Sequence, residues 1–93
     1  MTAPETIVAA AIQIEGVTIS LPQPARHDQV LHAADIFVQS EHWLHTACQG
    51  FVTSLGRFVN RVQAKHIAHR AGQPQLRPDT DRHPTQLFSE DIW

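Results

Sequence analysis

Tyrosine is absent from this sequence of 93 residues, and cysteine and methionine occur once each. A single cysteine, Cys48, permits no internal disulfide, which excludes the small secreted domains that use disulfides in place of a core. Charge is sparse as well. Seven Lys and Arg against nine Asp and Glu leave a net charge of −2, so the chain is no polycation of the kind that coats long nucleic acid. The apolar run from Ile7 to Ile14 is broken by Gln13 and is far shorter than the roughly 20 residues that cross a bilayer. Glu5 stands where a signal peptide carries Lys or Arg, so the expectation is a cytoplasmic protein with no membrane role. P-loop, G-x-S-x-G and paired-carboxylate motifs are missing, and Asp79 and Asp81 lie in a proline-rich stretch unsuited to preorganising a site. The reading is therefore non-catalytic, with no cofactor.

What is present organises into short elements. Ile12 and Ile14 alternate with Gln13 and Glu15, and beyond Gly16 the residues Val17, Ile19 and Leu21 alternate with Thr18 and Ser20. A two-residue turn at Glu15-Gly16 pairs Ile14 with Val17 and Ile12 with Ile19, gathering the apolar side chains on one face. Pro22 and Pro24 end this hairpin, since proline has no N–H for the ladder. The period then lengthens: Val30, Ala33, Ala34, Phe37 and Val38 predict a helix over 26–38. The stretch from Ser40 and Glu41 to Gly50 is ambiguous, open to a short helical turn. Phe51 and Val52, a turn at Ser54-Leu55-Gly56, then Phe58 and Val59 predict a short second hairpin. Asn60 with Gln63 reads as a capping box for a helix over 61–71, with Ala64, Ile67, Ala68 and Ala71 as its buried stripe and Gly72 at its C′ position.

After Gly72 the stretch QPQLRPDTDRHPTQ reads as an extended linker, and the terminal LFSEDIW is too apolar for a free tail. The predicted fold is α+β: a small N-terminal β-hairpin, two main helices, a short second hairpin and a docked C-terminal tail. It divides into a core domain over 1–72 and a linker with docking tail over 73–93. The sheet face bearing Ile12, Ile14, Val17, Ile19 and Leu21 is expected to pack against Phe37, Ile67 and Ala68. A domain of this size buries only about 60% of its unfolded surface, so a homo-oligomer is expected, with Phe88, Ile92 and Trp93 contributing to the contact.

Charge distribution carries the functional signal. Six of the seven Lys and Arg lie between Arg57 and Arg82, and no acid occurs from Arg57 to Pro78. Arg61, Lys65 and His69 recur at i, i+4 and i+8 and share one helix face, opposite the alanine stripe. Arg57 precedes a helix N-terminus, where free N–H groups favour anions, and Phe58 offers a flat surface to a base. Two readings follow: a solvated basic face that pairs with Glu90 and Asp91, or a site for a small anionic ligand. In the second, Arg57 and Arg61 hold phosphate, Phe58 stacks a base, and Asn60 reads a ribose or base edge; Arg26 and His27 are further candidates at the other helix start. The spacings H-x-x-H-x-x-C at His42, His45 and Cys48, and H-x-x-H at His66 and His69, suit tetrahedral zinc, but no carboxylate lies near either to orient a ligand. They read as surface histidines beside a buried cysteine, and no metal is assigned.

The block GFVTSLGRFVNRVQAKHIAHRAGQ, followed by a linker and LFSEDIW, resembles short phage and prophage proteins with the pattern GF-x-T-x-x-GRFV-x-R, then GQ, then LFSEDLW. More distantly it is similar to the Thoeris anti-defence nucleotide sponges. The resemblance implies a phage-encoded anti-defence protein that sequesters a small cyclic nucleotide signal in the host cell without catalysis. The alternative it implies is an anti-CRISPR-type inhibitor that binds a host defence protein directly.

Overall fold

The computed structural model describes residues 4–14, 16–35 and 48–93. Glu15 of the first turn, the 36–38 end of the predicted first helix with Phe37, the stretch opening at Ser40 and Glu41, and His42 and His45 lie outside the described residues. Four antiparallel strands, β1 (Ile7–Ile14), β2 (Val17–Pro22), β3 (Cys48–Thr53) and β4 (Phe58–Asn60), form one sheet in the order β2-β1-β3-β4. Helix α1 (His27–Asp35) lies over β1 and β2, and helix α2 (Arg61–Arg70) over β3 and β4. Two single turns of 3-10 helix, Asp79–Asp81 and Ser89–Asp91, complete the elements among the described residues. The fold is α+β.

The strand β1 starts at Ile7, five residues ahead of the alternation that marks it in the sequence. The reason is its central position. Ala9, Ala10 and Ala11 are all buried, so neither face shows the polar alternation of a half-exposed strand. A register irregularity between Ile7 and Ala9 leaves Val8 as an extra residue, and Ile7 returns to the core side. In the β1–β2 ladder Ile12 faces Ile19 and Ile14 faces Val17 across Gly16, whose φ of 84° suits glycine. One core expectation is corrected: Val17 is 61% exposed, because it lies at the hairpin tip on the edge strand.

The core joins Ile12, Val30, Phe51, Val59, Ala64, Ile67 and Ala68 with Leu87 and Ile92 of the terminal segment. Leu87 and Ile92 of the terminal segment thus share one core with residues of β1, β3, β4 and both helices of the same chain. The linker is also pinned. Leu76 N–H donates to the Asp91 carbonyl at 2.7 Å, and Leu87 N–H to the Arg61 carbonyl at 3.0 Å.

Helix α2 is capped at both ends. Asn60 accepts from Gln63 N–H at 2.8 Å while Gln63 accepts from Asn60 N–H at 3.0 Å. At the other end Gly72, with φ 66°, turns the chain so that Gln73 N–H reaches the Ala68 carbonyl at 2.9 Å. The Gln73 amide then donates to and accepts from the Ile7 backbone, both at 2.8 Å, taking the place of a neighbouring strand where β1 outruns β2.

Candidate functional site

The structure gives each sequence-predicted site residue an intramolecular partner. Arg57 Nε and Nη2 donate to the two carboxylate oxygens of Glu5 at 2.7 Å each, and the Thr53 hydroxyl donates to the same carboxylate. These donors hold the Glu5 carboxyl down at about 2, the Arg57 contribution being the largest. Arg61 Nη2 donates to Gln49 Oε1 at 2.6 Å, and its guanidinium stacks 4.5 Å from the Phe88 ring centroid. Burial pulls the Arg61 guanidinium below its usual range, against the opposing charge of Glu90. Arg57 and Arg61 are therefore tied to opposite ends of β3, at Thr53 and Gln49, about 13 Å apart along a strand. They do not converge on one ligand. The half-buried Phe58 ring lies over Gly50, so close that a Cβ there would meet its Cζ at 2.6 Å and would collide with the Val59 carbonyl oxygen. Asn60 is the α2 cap.

The two candidates at the start of α1 anchor the tail. Arg26 Nε donates to the Trp93 carbonyl at 3.0 Å, and Trp93 Nε1 donates to the Ala25 carbonyl at 2.7 Å. His27 is buried with Nε2 2.6 Å from the Gly50 carbonyl and Nδ1 3.2 Å from Ser89 Oγ. A carbonyl can only accept, so Nε2 carries the proton and Nδ1 takes the serine hydroxyl hydrogen. Burial lowers the His27 pKa, with the Gly50 bond acting against it. A serine beside a histidine has the composition of a nucleophile and base, but Ser89 is fully buried and a carbonyl stands where an orienting carboxylate would be. The pair latches the tail across β3. Phe88, Ile92 and Trp93 are turned into these same contacts, Trp93 edge-on to Phe51 with ring centroids 6.2 Å apart.

The open cationic feature lies elsewhere, on the outer face of α2. Val62, Lys65, His66 and His69 fall at i, i+3, i+4 and i+7, so they form one stripe, and segment 82–85 runs beside it. Between them is a groove of two compartments that share Lys65, His69 and Pro84. The first, about 230 Å³, is bounded by Lys65, His69, Gln75, Arg82 and His83 over a floor of Leu87. The second, about 280 Å³, adds Val62, His66 and Thr85. None of the residues lining either compartment is a carboxylate. Lys65 Nζ donates to the His83 carbonyl at 2.7 Å, which ties helix to loop and fixes the ammonium in the groove. The His83 ring is held too: Nδ1 accepts from the N–H groups of Thr85 at 3.2 Å and Gln86 at 3.1 Å. That leaves Nε2 as the nitrogen bearing the proton.

Of the helix face read from the sequence, Lys65 and His69 share this groove, whereas Arg61 turns away to Phe88. The residues missed were Gln75, Arg82 and His83. Gln75 lies in the acid-free run and Arg82 ends the run of cations that begins at Arg57, but the proline-rich composition of this stretch reads as linker. Cys48, expected to be buried, is exposed at the start of β3. Among the described residues no cluster of three His, Cys, Asp or Glu is placed to hold a metal ion, and no helix is long and apolar enough to cross a membrane.

A family model described as phage T4 y16D protein matches residues 6–93. No curated protein and no solved structure matches the chain at a significant level.

Proposed function

The chain belongs to the phage T4 y16D protein family, and from that premise we propose that it is a non-catalytic binding protein that captures a small phosphate-bearing ligand of the class of nucleotide defence signals. One observation carries the reading: Lys65, with His69 and His83, lines a groove whose lining residues include no carboxylate. An ammonium has three donors and only one is given to the His83 carbonyl, so two remain for anionic oxygens. The groove adjoins a helix and a loop that are cross-tied, which keeps the donors in place before a ligand arrives. Sequestration in the cytoplasm of an infected host needs nothing more than tight, stoichiometric capture.

Native mass spectrometry of the protein with a panel of linear and cyclic nucleotides tests this. The expected result is an adduct of integral stoichiometry that disappears in Lys65→Met while Tm changes little, because the methionine keeps the aliphatic packing. An adduct-free spectrum together with a stable complex recovered from host lysate transfers the reading to direct inhibition of a host defence protein.

A further inference from the structure

The two compartments of the groove differ in chemistry, and the difference bears on which ligand fits. The first is ringed by donors. Lys65, whose Nζ is held at the His83 carbonyl, lines it together with Gln75, Arg82 and a His83 ring fixed through Nδ1, and buried Leu87 lies beneath them. The second has a different surface: exposed Val62, Pro84 and the imidazole of His66 flank it, and the Thr85 hydroxyl is its polar edge. Weakly polar walls with one hydroxyl suit a planar heteroaromatic ring, which stacks on imidazole and aliphatic surface and needs few hydrogen bonds.

Size points the same way. Volumes of about 230 and 280 Å³ are each below the roughly 300 Å³ at which single-ligand pockets begin, and together they fall inside that class. Lys65 belongs to both compartments and marks their junction. We infer that the groove takes one nucleotide unit, a nucleoside monophosphate in linear or cyclic form, with its phosphate beside Lys65 and His83 and its base between His66 and Pro84. This inference rests on the phosphate-capture reading above and narrows it to one base and one phosphate.

Calorimetric titration of the full chain with inorganic phosphate, the four ribonucleosides, and their 5′-monophosphates and 3′,5′-cyclic monophosphates tests it. The expected result is at least one monophosphate bound one to one and at least tenfold more tightly than inorganic phosphate and than its own nucleoside. His66→Ala should remove that tenfold increment and leave the phosphate Kd unchanged, whereas Lys65→Met should weaken both. If no monophosphate binds more tightly than inorganic phosphate, or if His66→Ala weakens phosphate as much as nucleotide, the base compartment is wrong and simple anion capture remains. If no phosphate-bearing probe binds at all, the reading beneath it falls.

Discussion

At the scale of single residues, the side chains that look most available for chemistry are the ones the fold uses to hold itself together. His27 bridges β3 and the tail in its neutral form, with its pKa lowered from 6.5 by burial. The unfolded chain therefore binds a proton that the folded chain refuses, so His27 favours folding fully above pH 6.5 and less as the pH falls below it. Glu5 acts at lower pH. Its carboxyl is shifted from 4.5 to about 2, so its contribution is present above pH 4.5 and disappears as the pH falls toward 2. Tm measured against pH should thus fall in two stages. The first, below pH 6.5, should be absent in His27→Gln, and the second should be absent in Arg57→Met. Nothing in the linear sequence pairs Glu5 with Arg57; they are 52 positions apart and meet because β1 lies beside β3.

At the scale of elements, α2 was the most legible part of the chain. Its cap, its buried stripe and its C-terminal glycine are local features, and local hydrogen bonds satisfy the same backbone groups whatever surrounds the helix. Asn60→Ala removes one reciprocal capping pair and should cost about 1 kcal/mol in chemical denaturation. Its nucleotide affinity should be that of the parent protein; an added loss of affinity would return Asn60 to the ligand site. The strand β1 was less legible. An alternating pattern marks a strand with one wet face, and the alanines of β1 have neither face wet once β2 and β3 flank them and the helices cover the sheet. Gly50 shows the same dependence on neighbours. It is a glycine because β4 crosses so closely that a methyl group would strike the Val59 carbonyl, a fact that belongs to the β3–β4 pairing and not to any turn.

At the scale of the whole molecule, the terminal segment completes the core and carries one wall of the groove. Trp93 closes over Phe51 and donates to Ala25, so Trp93→Ala should lower stability by about 3 kcal/mol. Sedimentation should show the variant in the same oligomeric state as the parent, since these contacts are made within one chain; a smaller species would place the tail at a subunit contact instead. The sequence by itself determined the α+β class, the ends of α2 and the concentration of cations after Arg57. Each of these follows from near neighbours in the chain, through periodicity, capping and charge count. Only the tertiary structure decided which cations face a common space. Arg57 and Arg61 are four positions apart, yet strand pairing commits one to Glu5 and the packing of the tail commits the other to Phe88. Lys65 and His83 are 18 positions apart, yet the docked tail returns the chain along α2 and sets them in contact. Composition reports how many charges a segment holds; the route of the backbone decides which of them are paired across the fold and which line a common groove.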